Sequence, residues 1–151
     1  MLSPTRMVMA AAILLAAGCS SKPAADSTAE NEKKFQEMMA GATLVGHSTR
    51  TGKEGLAPGE ERYIIDKVSK LAGDTWLFQA RIQYGSHDVP LPVPVTIKWA
   101  GDTPVITLTD LKLPGLGAFT ARVLLYRDRY AGTWSATDHG GEMFGKILRQ
   151  H

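Results

Sequence analysis

The chain contains residue types that can perform catalysis, but their spacing matches no catalytic motif. Ser86, His87 and Asp88 are the three side-chain types of a hydrolase triad, yet they are adjacent in sequence. Triad groups must instead meet side by side from separate elements. The glycine-rich segment 114–117 lacks the lysine and the following helix of a phosphate-binding loop. We therefore predict turns at both places, no catalytic residue, and a protein that is not an enzyme.

The histidines are too far apart in sequence to indicate a metal site. None stands two or four residues from another His or Cys, the spacing that places two ligands on one face of a strand or helix. Ligands from distant segments that converge in space remain the alternative. We predict isolated surface or turn histidines, with no metal and no cofactor. The four are His47, His87, His139 and His151.

The single cysteine, Cys19, follows a segment with the features of an export signal. Arg6 supplies a positive charge, and residues 7–17 form an unbroken apolar run of eleven residues. That run is too short to span a bilayer and has the length of a signal-peptide core. We predict that residues 1–18 are a signal peptide. An ordinary signal peptide, cleaved after Ala-Ala-Gly to leave a free thiol, is the alternative.

The residues before Cys19 resemble the lipobox of bacterial lipoproteins, in which small residues precede an invariant cysteine. Ala16 replaces the leucine that is commonest three positions before that cysteine, and Leu14 and Leu15 lie just upstream. The resemblance implies cleavage before Cys19, lipidation of its thiol and acylation of its amine by a fatty acid such as palmitate. It also implies a cell-envelope protein whose partner is the lipid bilayer. Ser20 resembles the pattern exported to the outer membrane, so in a Gram-negative host we expect its periplasmic face.

A tether and a short helix are predicted after the lipidated cysteine. Residues 19–27 are small, polar and interrupted by proline, which favours a flexible tether. Residues 28–41 form the predicted helix, capped by Ser27 or Thr28 and stopped by Gly41. Its apolar stripe is expected to pack on the protein's own domain, with a plug for the sheet or a partner surface as the alternatives. The stripe consists of Phe35, Met38 and Met39.

From Ala42 onward the hydrophobic period changes to two, which predicts an antiparallel β domain over residues 42–151 that folds without the helix. Strict alternation gives each strand one buried and one solvated face. Gly85 to Pro92 is predicted to be a longer loop, and its prolines are expected to put the start of the next strand at an edge or mouth of the sheet. No helix intervenes, so a meander is favoured. The predicted strands are about 42–50, 61–71, 75–84, 92–100, 103–110, 118–127, 130–137 and 142–149.

The fold class is therefore all-β, an eight-stranded antiparallel up-and-down barrel, with a two-sheet sandwich as the alternative. This architecture resembles the lipocalin and fatty-acid-binding barrels. The Gly-x-Trp of lipocalins lies near the first strand, whereas Gly132 and Trp134 lie in the seventh, so no binding residue is transferred. The same region also resembles small exported bacterial β-proteins that have no assigned function.

The last hairpin is predicted to place Trp134 in the core. Its turn is expected at residues 138–141, so that Met143 and Ile147 return to meet Trp134. Glycines 132 and 145 are expected where another backbone approaches closely.

Three acidic side chains at or near the second predicted strand are each assigned to one face of that strand. Glu60 and Glu61 begin a strand and are expected to be solvated. Asp66 is expected on the outer face, with Tyr63 and Ile65 inward, and a buried Asp66 paired with an arginine is the alternative.

The 17 Lys and Arg nearly balance the 15 Asp and Glu, which argues against nucleic acid as a partner. We expect a structural or interaction barrel of the envelope with a filled core and a protein partner. A binding module for a small apolar ligand is the alternative. Its candidate lining residues are Trp76, Trp99 and Trp134.

Overall fold

The computed structural model describes residues 24–149. The predicted signal peptide, Cys19, residues 20–23 of the predicted tether, and His151 lie outside the described residues. One helix and eight strands follow one another along the described chain. They are α1 (Ala24–Met39), β1 (Ala42–Ser48), β2 (Glu61–Ala72), β3 (Thr75–Tyr84), β4 (His87–Ala100), β5 (Thr103–Leu113), β6 (Gly117–Tyr126), β7 (Arg129–Ser135) and β8 (Gly140–Arg149).

The strands form a closed antiparallel barrel in sequence order. Closure is made by β1 and β8, which pair from Ala42 opposite Arg149 to Ser48 opposite Met143. The predicted up-and-down barrel is therefore confirmed, and the sandwich alternative is wrong. Because every strand reverses, the connections lie at two ends. The helix end carries α1 and the turns at 73–74, 101–102 and 127–128, and the far end carries the loops at 49–60, 85–86, 114–116 and 136–139.

Alternation along the strands separates the core from the surface as the sequence predicts. In β3 the buried side chains are Trp76, Phe78, Ala80 and Ile82, while the residues between them are partly or fully exposed. The same parity holds in β4 and β6. On each of these strands the buried side chains point into the barrel and their neighbours point outward, because successive side chains alternate between the two faces of a strand.

The helix belongs to the same core as the barrel. Phe35 and Met39 are 2% and 0% exposed, so α1 packs on its own domain and closes one end of the barrel. Gln36 donates a hydrogen bond to the Val68 carbonyl at 3.1 Å, and Glu32 pairs with Lys70 at 2.6 Å. The apolar stripe of the helix thus plugs this end of the barrel.

Among the described residues no helix is long and apolar enough to cross a membrane.

The helix begins four residues earlier than predicted. It starts at Ala24, so Ser27 and Thr28 lie inside it rather than capping it, and residues 24–27 are not tether. Ala24 and Ala25 are strong helix formers, which explains the extension. The helix ends at Met39, two residues before the predicted end at Gly41, which adopts a positive φ of 71° as expected of a glycine that terminates a helix.

The predicted loop from Gly85 to Pro92 is wrong, because β4 begins at His87 and only Gly85 and Ser86 form the turn. The prolines fit the strand because of the side they face. The amide of Ile97 donates to the Asp74 carbonyl on the β3 side, so the even-numbered positions face β5. Proline there removes no hydrogen bond to β3. These prolines are Pro90, Pro92 and Pro94.

The same prolines end the pairing between β4 and β5. Their ladder runs only from Ala100 opposite Thr103 to Thr96 opposite Thr107. Beyond that point β5 continues beside β6, with a register shift after Leu108. The barrel wall is consequently unpaired between residues 90–95 of β4 and residues 108–113 of β5.

The last hairpin has a different register from the predicted one. Its loop is 136–139, and Gly140 and Gly141 belong to β8. Gly141 pairs with Trp134, so Ile147 lies six residues along β8, toward the helix end, and does not meet Trp134. Gly141 is required by packing rather than by a turn, because a Cβ there would lie 2.1 Å from the Thr49 carbonyl oxygen.

A bulge in β2 resolves the position of Asp66. The register shifts between Ile65 and Lys67, so Ile65 and Val68 are both buried while Asp66 is exposed. The extra residue resets the alternation. The outer-face prediction for Asp66 is confirmed.

Candidate functional site

A cavity of about 190 Å³ lies inside the barrel. Met39 of α1 contributes to it from the helix end, and Leu116 of the β5–β6 turn contributes from the far end. A cavity of about 150 Å³ with apolar walls is large enough for benzene. Most lining side chains are apolar, among them Leu44, Ile65, Phe78, Val93, Val95, Leu108, Phe119, Val123 and Met143.

Glu61 is the single charged side chain of this lining among the described residues. Its carboxylate accepts hydrogen bonds from the Ser48 hydroxyl at 2.5 Å and from the Tyr63 hydroxyl at 2.8 Å. Glu61 is half-buried and lines the cavity, so the prediction of a solvated surface acid is wrong for Glu61. Glu60 is exposed as predicted and pairs with Arg62 at 2.6 Å. The missed signal was parity, since Glu61, Tyr63 and Ile65 share one face of the strand.

No Lys or Arg pairs with Glu61 in the part of the chain that the structure describes. A carboxylate offers about four lone-pair positions, and Ser48 and Tyr63 occupy two of them. Glu61 begins β2 at the far end of the barrel. The cavity therefore has one acidic, hydrogen-bond-accepting group near its far end.

Three tyrosines around Glu61 hold their protons more tightly than usual. Burial is the main cause of the raised pKa of Tyr63, and the negative charge of Glu61 adds to it. Burial followed by Glu61 also raises the pKa of Tyr84 and that of Tyr130. Removing a tyrosinate from water is unfavourable, and a neighbouring carboxylate makes it more so. These hydroxyls remain neutral next to Glu61.

The tryptophans divide between two places. Trp76 and Trp99 contact Phe35 of α1 at the helix end, with ring centroids 5.2 and 6.1 Å apart, and neither lines the cavity. Trp134 does line it, and its ring packs edge-on against His139 with centroids 5.3 Å apart. The Trp134 indole N–H is buried and has no hydrogen-bond partner within the described chain. Of the three candidates, only Trp134 is brought to the cavity.

Histidines and the Ser-His-Asp segment lie in ordinary structural surroundings. Ser86 is in the two-residue turn after β3, His87 stacks on Tyr84 with centroids 4.7 Å apart, and Asp88 pairs with Arg81 at 2.6 Å. The three do not assemble into a triad. Within residues 24–149, no group of three or more His, Cys, Asp or Glu side chains is arranged to hold a metal ion.

The outer face of the barrel carries an apolar patch, defined here as Leu124, Tyr126, Phe144 and Leu148. All four side chains are exposed. Ala131 of β7 pairs with Leu124 on one side and with Phe144 on the other, so its small side chain forms a shallow groove between them. Arg127, Arg129 and Lys146 lie beside the same groove.

Comparison with known proteins gives no family for this chain. No protein-family model matches it, and no curated protein is significantly similar.

Proposed function

We propose that this protein is a non-catalytic lipoprotein of the bacterial cell envelope that binds a small, mostly apolar molecule inside its barrel. The observation that carries the binding role is the cavity of about 190 Å³ behind the helix plug. Apolar pockets with a few converging polar groups are typical of small-molecule sites. Glu61, with its bonded partners Ser48 and Tyr63, supplies that polar group.

The unpaired stretch of wall supports the same role. Val93 and Val95 of β4 and Leu108 and Leu113 of β5 line the cavity on either side of that stretch. Because no backbone ladder joins the two strands there, they can separate without breaking hydrogen bonds between them. This is the side at which a ligand would enter.

Ligand binding is tested first by native mass spectrometry of the purified mature protein. A co-purifying small molecule supports binding. The second test is titration with toluene, followed by tryptophan fluorescence. We expect a fluorescence response in the unmodified protein and in Trp99→Phe. The response should be lost in Trp134→Phe, because Trp134 is the one of the three tryptophans that lines the cavity.

A cavity-filling variant provides the matched control. Ala80 lines the cavity, whereas Ala131 faces outward from β7. Ala80→Leu should abolish toluene binding, and Ala131→Leu should leave it unchanged. Toluene binding that survives in Ala80→Leu would sink the proposed role.

Membrane attachment is proposed through Cys19, on the basis of the lipobox-like sequence that precedes it. Each buried methylene contributes about 0.8 kcal/mol, and two or more acyl chains exceed the marginal anchoring of one. Cys19→Ser should abolish incorporation of a palmitate analogue and move the protein to the soluble fraction. Unchanged membrane partition of Cys19→Ser would contradict the anchor.

A second candidate role is attachment to another envelope protein, and the apolar patch on the outer face favours it. Contiguous exposed apolar surface is typical of interaction sites. A photo-crosslinker at Phe144 should then give one defined adduct in intact cells. The control position is Glu54, an exposed residue of the β1–β2 loop at the far end. Equal labelling from both positions would argue against the patch.

A further inference from the structure

We infer that the cavity selects ligands whose polar end donates hydrogen bonds, an amine in preference to an alcohol, and discriminates against carboxylates. The inference rests on the proposed binding function and names the chemical class of its ligand. It is carried by the composition of the cavity lining, which holds one acid and no Lys or Arg among the described residues.

Two hydrogen-bond donors surround the Glu61 carboxylate. Its two oxygens accept from Ser48 at 2.5 Å and from Tyr63 at 2.8 Å, so both neighbours act as donors toward it. Such an arrangement is the one that an ionised carboxylate requires, since that group only accepts. Two lone-pair positions remain for donors from a ligand.

Among the described residues no Lys or Arg pairs with the Glu61 carboxylate. Glu61 is half-buried, and a carboxylate that is partly withdrawn from water is stabilised by a neighbouring cation. The nearest basic residue along the strand, Arg62, points to the outer face and pairs with Glu60. A ligand ammonium group would supply the balancing charge and up to three hydrogen-bond donors. Charge-assisted hydrogen bonds of this kind are the stronger ones.

The cavity lining disfavours ligands that carry a carboxylate. A carboxylate headgroup binds most favourably to Arg or Lys. Here it would meet the like charge of Glu61 in an apolar setting, where repulsion is weakly screened. The site therefore differs from one built for fatty-acid anions, although its walls are mostly apolar.

The size of the cavity determines which small molecules are used as probes. At about 190 Å³ it accommodates one ring with a short polar arm. Toluene, benzylamine, benzyl alcohol and benzoate share that shape and differ in the end group. They are titrated calorimetrically at neutral pH into the whole mature chain, residues 19–151, carrying Cys19→Ser to keep it soluble.

We expect benzylamine to bind at least about tenfold tighter than benzoate, with benzyl alcohol between them. Tenfold corresponds to about 1.4 kcal/mol, which is within the range of hydrogen bonds to charged groups. Glu61→Gln keeps the shape of the side chain and removes its charge, so the ratio should fall to about threefold or less. Glu60→Gln, on the exposed neighbour, should leave the ratio unchanged.

The outcomes separate the two proposals. Benzoate binding as tightly as benzylamine, while toluene also binds, overturns the ligand class and leaves the binding function standing. A ratio that persists in Glu61→Gln likewise overturns the role of Glu61. Failure of toluene and of every other probe to bind overturns the binding function and the inference together. The comparison in the unmodified barrel decides the preference even if Glu61→Gln does not fold.

Discussion

Phe35 of the helix and Trp76 of β3 meet edge to face, with ring centroids 5.2 Å apart and ring planes at 80°. Phe35 also lies within 6.1 Å of Phe78 and Trp99, centroid to centroid. Edge-to-face pairs add about 0.5–1.5 kcal/mol to the effect of burial alone. Phe35 thereby ties the helix to three aromatic side chains of the barrel.

Phe35→Ala should lower the free energy of unfolding by about 3–5 kcal/mol, as expected for a large buried aromatic residue. Lys33→Ala is the control on the same helix, because that side chain is 79% exposed. Urea unfolding measures both. A loss below about 1 kcal/mol for Phe35→Ala would show that the plug contributes little.

A fragment beginning at Ala42 tests the sequence-based prediction that the barrel folds without the helix. The fragment lacks Phe35 and Met39, both buried in the core. We expect β structure by circular dichroism, with a free energy of unfolding several kcal/mol below that of the whole chain. Equal stability of the two would show that the plug is dispensable.

Trp134→Ala should cost less than Phe35→Ala. Trp134 is half-buried and borders the cavity, so truncation enlarges a space that already exists. We expect a loss of roughly 1–3 kcal/mol, below the 3–5 kcal/mol of a filled core. Urea unfolding decides between these ranges. Iodide quenching of Trp134 as efficient as that of free tryptophan would instead place its ring on the outer face.

Tyr130 is packed across two glycines. A Cβ at Gly46 would lie 2.5 Å from the Tyr130 hydroxyl, and a Cβ at Gly145 would lie 2.7 Å from Tyr130 Cε1 and 2.1 Å from the Val45 carbonyl oxygen. Gly145→Ala should therefore lower the free energy of unfolding by about 1–3 kcal/mol or more. Lys146→Ala, on the exposed side of the same strand, is the control. Wild-type stability of Gly145→Ala would contradict this packing.

The Tyr130 hydroxyl is buried, and no partner for it exists within the described residues. Leaving a buried polar group unpaired is unfavourable, so its removal carries little cost. We expect the free energy of unfolding of Tyr130→Phe to be unchanged or higher by up to about 1 kcal/mol. Chemical denaturation would contradict this expectation if Tyr130→Phe were clearly less stable.

Alkaline pH should destabilise the fold through the buried tyrosines. The pKa values of Tyr63, Tyr84 and Tyr130 are raised in the folded state, whereas unfolded tyrosine titrates near pH ~10. Below that pH their contribution to stability is fully present. Above it the unfolded chain loses protons that the folded chain retains, so the free energy of unfolding falls as pH rises toward the folded pKa values.

Urea unfolding between about pH 8 and pH 12 measures that fall. Tyr63→Phe should make the dependence on pH shallower, while Tyr126→Phe, an exposed outer-face residue, should leave it unaltered. A flat profile in the unmodified protein would rule out the tyrosines as the cause.

Local patterns in the sequence determined the strands and their inward faces. In β3 the alternation from Trp76 to Ile82 is complete within one strand, and the side-chain period of two needs no other part of the chain. Gly132 and Gly145 were likewise recognisable as places of close approach, because a glycine within a strand has few other reasons to be there. The inward orientation of Trp134 followed from the same parity.

Closure of the barrel and the content of its interior were decided by tertiary structure. The pairing of Ala42 with Arg149 joins the two ends of the domain, which no local pattern encodes. The cavity depends on the summed volumes of side chains from separate strands and from Met39. The charge of Glu61 predicted a solvated side chain, and that prediction was wrong. Ser48 of the neighbouring strand β1 and Tyr63 of the same strand face donate the hydrogen bonds that allow this carboxylate to point inward.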